Sequence, residues 1–128
     1  MAHFIIDVHN LLYARGRRPS AKNNDFELDA LIKKVVYFSD YEAHQITLVF
    51  DGTQKSFTPF LSENIECLFS GPEGSADLVI EKLLSKLKIQ QNILVITDDF
   101  ELRNAALSRG FQYLSTEWFL KTISAYHP

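Results

Sequence analysis

HFIIDVHN, residues 3–10, is the stretch that decides the fold, because a short apolar run ends abruptly there on a carboxylate and a carboxamide. The run before Asp7 has the length and the Ile-rich composition of a buried β-strand. Asp7 and Asn10 follow at the point where that strand runs out. Asp7 and Asn10 therefore mark the end of a strand, and the ends of the other strands show whether this pattern recurs.

The rest of the chain alternates such apolar runs with helical patterns. Further strands are predicted at QITLVFD (45–51), IECLFS (65–70), NILVITD (92–98) and the shorter FQYLS (111–115). Helices are predicted over residues 26–41, 75–87 and 100–109, and around 118–125. This alternation predicts an α/β fold whose parallel sheet is covered by helices on both faces. Such sheets bind ligands beyond the carboxyl ends of their strands, which is where we expect the site.

The composition excludes several classes of protein. The chain has 128 residues, 46% of them hydrophobic, which suits a single domain over residues 1–128 with one core. Its one cysteine, Cys67, excludes an internal disulfide, and no Cys/His spacing is typical of a zinc site. No apolar run approaches the roughly 20 residues of a membrane span and no secretory leader is recognisable, so we expect a cytoplasmic protein. The net charge of −3 does not identify a partner.

Acidic residues end three of the predicted strands. Asp7 follows HFII, Asp51 follows TLVF, and the pair Asp98 and Asp99 follows LVIT. Because the carboxyl ends of parallel strands meet at one edge of a sheet, we expect these carboxylates to lie close together. The strand that begins the chain is therefore one of several that end in the same way.

The helix predicted at 75–87 adds two more acids, Asp77 and Glu81, which are four residues apart and share a helix face. Carboxylates crowded together repel one another, so such a cluster calls for a cation, and hard oxygen ligands suit Mg²⁺ or Mn²⁺. Two such ions about 3.5–4 Å apart can activate water and stabilise the leaving oxygen of a phosphodiester displacement. The cluster predicts a metal-dependent enzyme that acts on nucleic acid.

Each of these residues also has an ordinary structural explanation. Asp51 could open an Asp-Gly turn, and Asp98 or Asp99 could cap the helix that follows. Asp77 could complement the helix dipole, and Glu81 could be a solvated helical residue. Such explanations, taken one by one, do not account for why acids gather at the edge where α/β sheets bind ligands. We therefore favour the functional interpretation.

Four segments carry a family resemblance through their order and spacing: IIDVHN (5–10), TLVFDG (47–52), SADLVIEKLL (75–84) and LVITDDFELRNAALSRG (94–110). They resemble the successive motifs of the NYN/YacP-like ribonucleases of the PIN-domain-like superfamily. The resemblance implies a three-layer PIN-like, Rossmann-like fold whose mostly parallel five-stranded sheet has the order 3-2-1-4-5. It also implies Mg²⁺- or Mn²⁺-dependent endoribonuclease activity on RNA.

The resemblance further implies a catalytic site formed by Asp7, Asn10, Asp51, Asp77, Glu81 and Asp98. The metal ligands expected among these residues are Asp7, Asp51, Asp77 and Asp98. The first motif of the YacP-like branch usually reads Asp-Gly-Tyr-Asn, whereas this chain has His9 in the place of the tyrosine. His9 either contacts substrate or metal, or only fills the space of that tyrosine.

A basic segment, YARGRRPSAKNN (13–24), is the best candidate for contact with RNA, because it leaves the carboxyl end of the first strand. The residues expected to bind phosphates are Arg15, Arg17, Arg18 and Lys22, joined by Lys55 from a later loop. A merely solvated basic loop is the alternative.

Aromatic residues near these sites also have two interpretations. Phe57 and Phe60, close to Lys55, could stack on bases as in single-strand binders, although core packing is the commoner use of such residues. We expect Trp118 and Phe119 to be packing residues of the last helix. Arg103 could reach a site acid or a phosphate.

Two other functions compete with the nuclease. A haloacid-dehalogenase-like phosphatase also uses a strand-ending aspartate, Mg²⁺ and a late Asp-Asp pair, but it needs a second acid where this chain has His9. A non-catalytic RNA-binding or protein-binding module on the same fold is the other alternative, and the presence of all the acids argues against it. The sequence leaves open a protein partner or a homodimer.

Overall fold

The computed structural model describes residues 2–14, 24–52, 63–88 and 92–126. Within these ranges the strands are β1 His3–Asp7, β2 Gln45–Phe50, β3 Ile65–Phe69, β4 Ile93–Ile96 and β5 Gln112–Leu114. The helices are α1 Val8–Ala14, α2 Asn24–Glu42, α3 Ala76–Lys86, α4 Phe100–Ser108 and α5 Thr116–Ile123. The predicted contacts of RNA with Arg15, Arg17, Arg18, Lys22 and Lys55, and the stacking considered for Phe57 and Phe60, lie outside the described residues.

The five strands form one parallel sheet of order β3-β2-β1-β4-β5, which confirms the predicted order. β1 lies in the centre, with Asp7 opposite Val49 of β2 and Ile6 opposite Ile96 of β4. From β1 the chain first builds the sheet towards β3, and it then returns to the other side of β1 with β4. The switch point of the topology is therefore at the end of β1, where Asp7 stands.

Helices cover both faces of the sheet and form two hydrophobic cores. One core joins Phe4 and Ile6 of β1 to α1, α2 and α5, and the other joins Ile5 of the same strand to α3 and α4. Ile5 and Ile6 are fully buried, because successive residues of a strand point to opposite faces. This is why β1 is a continuous apolar run, and it confirms the three-layer arrangement. No helix in the described part of the chain combines the length and apolarity that crossing a membrane needs.

Three helices differ from the sequence prediction, and one of them is α2, which begins two residues earlier, at Asn24. α1 was not predicted; it begins directly at Val8 because the Asp7 side chain caps it, accepting a hydrogen bond from the Asn10 N–H at 3.2 Å. α1 contributes the buried side chains of Val8 and Leu11 to the hydrophobic core. α5 begins two residues earlier than predicted, because the Ser115 hydroxyl accepts a hydrogen bond from the Trp118 N–H at 3.0 Å.

Candidate active site

A pocket lies at the carboxyl edge of the sheet, at the switch point. Its lining consists of Asp7, His9, Asn10, Asp51, Ser75, Asp77 and Asp99. Four of the six predicted catalytic residues, Asp7, Asn10, Asp51 and Asp77, therefore come together. Glu81 and Asp98 are not part of the lining. His9 lines the pocket with a half-buried side chain, from which it can touch a bound molecule.

Asp7 is the most deeply buried acid of the pocket, with 6% of its surface exposed. Burial raises the pKa of Asp7 to about 6, against the opposing effect of the hydrogen bond from the Asn10 N–H. The negative charges of Asp77 and Asp51 raise this pKa as well, as does a hydrogen bond between the Asp7 and Asp77 carboxyl groups. A carboxyl with these neighbours holds its proton into the range where ordinary aspartates are charged.

Asp77 is the second residue of α3, and burial and neighbouring acids raise its pKa as they raise that of Asp7. Burial raises the pKa of Asp77, and the negative charge of Asp99 adds to the effect. Smaller contributions in the same direction come from Asp51 and Glu81, which places Glu81 within electrostatic range although it does not line the pocket. The pocket therefore concentrates negative charge, and none of the described residues that line it is a lysine or an arginine.

Asp51 is fixed by the first turn of α3. Its Oδ1 accepts a hydrogen bond from the Ala76 N–H at 2.6 Å, while the Ser75 hydroxyl caps the same helix through the Leu78 N–H. Beyond Asp51 the chain turns at Gly52, whose φ of 86° favours glycine. Asp51 thus both orients α3 and lines the pocket, and Ser75 is a lining residue that the sequence analysis missed, although a serine before Ala-Asp is typical of a helix cap.

The adjacent acids after β4, Asp98 and Asp99, make different contacts. The Asp98 carboxylate accepts hydrogen bonds from the Thr116 N–H, at 3.1 Å, and from the Thr116 hydroxyl. Asp99 lines the pocket and caps α4, accepting a hydrogen bond from the Leu102 N–H at 3.0 Å. Successive extended residues point in opposite directions, so only one of the pair faces the pocket. The described lining of the pocket therefore includes Asp99 and not Asp98.

Asn10 connects the two halves of the sheet. Its backbone N–H donates to Asp7 at the end of β1, and its side-chain Oδ1 accepts a hydrogen bond from the Asp98 N–H at 3.1 Å. Since Asp98 in turn binds Thr116, an unbroken chain of hydrogen bonds runs from β1 to the start of α5. This chain fixes the turn that carries Asp99 relative to Asp7.

Thr116→Val should lower the free energy of unfolding by about 1–2 kcal/mol, because Thr116 is buried and its hydroxyl donates to a charged carboxylate. Valine has nearly the same shape, so the loss reports the hydrogen bond. The matched control is Thr122→Val on the same helix, where the hydroxyl donates to the Trp118 carbonyl and the expected cost is below about 0.5 kcal/mol. Chemical unfolding of both variants measures the difference; equal costs would contradict a structural role for the Asp98–Thr116 bond.

The donor groups of the pocket fit a hard divalent cation, since carboxylate oxygens are the ligands that Mg²⁺ and Mn²⁺ prefer. In the described residues no three carboxylate, imidazole or thiol groups are spaced to hold an ion as they stand. Asp7 and Asp77 instead hydrogen-bond to each other. The oxygen chemistry of these residues fits a metal, and Asp7, Asp51, Asp77 and Asp99 are the carboxylates that would hold it.

Comparison with known proteins gives one family and several similar structures. The sequence model of the YacP-like NYN domain matches residues 4–127. A mutant of Rae1 (YacP) from Bacillus subtilis is 26% identical, with a TM-score of 0.73 over 98% of this chain and 76% of that chain. Another crystal structure of Rae1 (YacP) from Bacillus subtilis is 23% identical, with a TM-score of 0.77 over 98% of this chain and 75% of that chain, which shows the fold alone. No curated protein matches.

Proposed function

Because the chain belongs to the YacP-like NYN domain family, whose members are nuclease-type, RNA-related domains, we propose that it is a Mg²⁺- or Mn²⁺-dependent endoribonuclease. The observation that supports this most is the gathering of Asp7, Asp51, Asp77 and Asp99 in one pocket at the switch point of the sheet. Burial, together with mutual repulsion, raises the pKa values of Asp7 and Asp77, and a bound cation would relieve the repulsion.

In this proposal the four pocket carboxylates hold the metal, with Asp99 in the place that the sequence assigned to Asp98. Bound Mg²⁺ or Mn²⁺ supplies an activated water and charge stabilisation for the leaving oxygen. Asn10 acts as a positioning residue, because it connects the strand end that carries Asp7 to the turn that carries Asp99. Glu81 acts through its charge on Asp77.

RNA would reach this pocket along the basic segment. We assign phosphate contacts to Arg15, Arg17, Arg18 and Lys22, with Lys55 as a further contact. Such contacts neutralise the backbone and make affinity fall with salt without reading sequence. They would also offset the negative charge of the pocket, which by itself repels RNA.

The assay that tests the proposal offers labelled single-stranded RNA and p-nitrophenyl phosphate, each with Mg²⁺, with Mn²⁺ and with EDTA. We expect internal RNA fragments with either metal, no fragments with EDTA, and no release of nitrophenol. Hydrolysis of the phosphate ester alone would establish the phosphatase instead. RNA binding without cleavage in any buffer would establish the non-catalytic module.

A further inference from the structure

Ser70, the residue that follows β3, binds the backbone on both sides of Asp51. Its N–H donates to the Phe50 carbonyl at 3.0 Å, which continues the parallel pairing of β2 with β3 by one residue. Its side-chain oxygen accepts a hydrogen bond from the Gly52 N–H at 2.8 Å. The residue before Asp51 and the residue after it are therefore both bonded to one serine.

The two chains stop running parallel immediately after these contacts. Gly52 and Gly71 form an isolated antiparallel bridge, in which the Gly71 N–H donates to the Gly52 carbonyl at 2.9 Å. Both glycines have a φ of 86°, in the left-handed region that favours glycine, which permits a sharp turn in each chain. The Ser70 hydroxyl also donates to the Gly71 carbonyl at 3.1 Å. This hydroxyl therefore accepts one hydrogen bond and donates another at the bridge.

Gly74 brings the same turn close to the start of α3. A Cβ atom at Gly74 would lie 2.5 Å from the Ser70 carbonyl oxygen, which is closer than Cβ atoms come to backbone, so glycine is needed at this position. The helix that carries Asp77 begins two residues later, at Ala76. The turn therefore connects the backbone that carries Asp51 to the helix start that carries Asp77.

The Asp51 side chain depends on such support because it is exposed at the end of β2. An exposed carboxylate has several accessible rotamers, but the Ala76 N–H donates to Asp51 Oδ1 at 2.6 Å and selects one of them. That N–H belongs to the first turn of α3, where the helix itself offers no acceptor. Ala76 is buried, so the loss of Asp51 would leave a buried donor unpaired.

We propose that Ser70 is a positioning residue, which through Gly52 holds the Asp51 carboxylate against α3 so that Asp51 and Asp77 bind one cation together. Ser70 is not among the described residues that line the pocket, so it acts through Asp51. The inference rests on the proposed function in taking a divalent cation as the ligand. Loss of such an outer hydrogen bond should weaken the binding of Mn²⁺ about 10-fold.

The amide hydrogen of Ala76 reports on this arrangement in metal-free protein. In EDTA, hydrogen exchange followed by NMR should be about 10-fold faster at Ala76 in Ser70→Ala than in wild type, because the acceptor of that N–H is no longer held in place. Ser70→Thr keeps the hydroxyl and should retain the wild-type rate. Unchanged exchange in Ser70→Ala, or equally fast exchange in Ser70→Thr, would contradict the positioning role.

Ser39→Ala is the matched control, because it removes a buried serine hydroxyl that donates to the His44 carbonyl at 2.7 Å, outside the pocket. Chemical unfolding should show a loss of stability. Exchange at Ala76 and the Kd for Mn²⁺ should stay at their wild-type values, because the first turn of a helix exchanges by local opening rather than by global unfolding. If Ser39→Ala repeats both defects of Ser70→Ala, general stability is their cause and the proposal is wrong.

Gly74→Ala tests the same arrangement with the Ser70 hydroxyl still present. The added Cβ would displace the Ser70 carbonyl, so the variant should show faster exchange at Ala76 and weaker Mn²⁺ binding. Its control is Gly110→Ala, which strains a glycine with a φ of 83° after α4 and should change neither measurement. Wild-type behaviour of Gly74→Ala in both measurements would count against the proposal.

Calorimetric titration with Mn²⁺ separates this inference from the nuclease. Faster exchange at Ala76 with about 10-fold weaker Mn²⁺ binding in Ser70→Ala would support the inference, even in a protein that never cleaves RNA, where the nuclease would be wrong. Faster exchange with unaltered Mn²⁺ affinity would overturn it. If wild-type protein binds neither Mn²⁺ nor Mg²⁺, the proposed function is wrong, and exchange at Ala76 alone decides whether Ser70 positions Asp51.

Discussion

Asp7→Asn should reduce RNA cleavage by about 10³-fold or more without unfolding the protein. Asp7 ends the central strand at the switch point and is buried among the pocket acids. Asparagine keeps the shape and the oxygen that accepts the Asn10 N–H, but it removes the charge that holds a cation. Several kcal/mol of transition-state stabilisation depend on such a metal, and each 1.4 kcal/mol is tenfold in rate. The measurement is kcat/KM on single-stranded RNA with saturating Mn²⁺.

The matched control for this loss is Asp29→Asn, which neutralises an exposed aspartate of α2 that pairs with Lys33 at 3.1 Å. Activity of that variant should equal that of wild type, because surface pairs contribute little and this one is not part of the pocket. Asp99→Asn should share much of the Asp7→Asn defect. Near-wild-type turnover by Asp7→Asn would remove Asp7 from the catalytic site.

Without metal, the same Asp7→Asn substitution should stabilise the protein at pH 8. The pKa of Asp7 is raised from 3.8 to about 6 in the folded state, so the native protein binds this proton more tightly than the unfolded chain does. Native stability therefore falls as the pH rises from about 4 to about 6, by about 3 kcal/mol for this group, at 1.36 kcal/mol for each unit of pKa. Asparagine does not ionise, so the variant escapes this loss.

Thermal unfolding in EDTA between pH 4 and pH 8 measures the effect. The Tm of Asp7→Asn minus the Tm of wild type should increase by roughly 10 °C between pH 4 and pH 8. Each kcal/mol of stability shifts the midpoint of a domain this size by roughly 3–5 °C. Mn²⁺ should work in the opposite direction, adding about 2.7 kcal/mol to wild type at 100 times its Kd and less to the variant. A variant that is less stable than wild type in every buffer, with an unchanged response to Mn²⁺, would make Asp7 a helix cap and nothing more.

Much of the fold was predictable because β1 is buried on both faces. Its continuous apolar run, ended by Asp7, indicated a central parallel strand, and the alternation of strands and helices indicated three layers. The sequence does not predict α1 because the helix has only seven residues and directly follows Asp7, which is already explained as a site acid. Short helices of this kind are determined by their caps and by contacts with the rest of the fold, which periodicity does not detect.

Four of the six predicted site residues line the described pocket, whereas Asp98 and Glu81 do not. Strand ends indicated Asp7, Asp51 and the Asp-Asp pair, but the choice between Asp98 and Asp99 depends on Thr116, which comes 18 residues after Asp98 and meets it only when β5 pairs with β4. In the last helix, too, the sequence does not distinguish a buried residue from its exposed neighbour. Phe119 is buried as predicted, whereas its neighbour Trp118, also predicted to pack, is 41% exposed.

The hydrogen-bond chain through Asn10 has a consequence for protein synthesis. A nascent chain that has emerged only as far as α3 already contains Asp7, Asp51 and Asp77, but neither Asp99 nor the amide of residue 98 that Asn10 binds. The pocket is completed on that side only when β4 has paired with β1. A nascent chain of this connectivity would therefore hold three of its pocket acids in an incomplete pocket until the segment that carries β4 and Asp99 has been made.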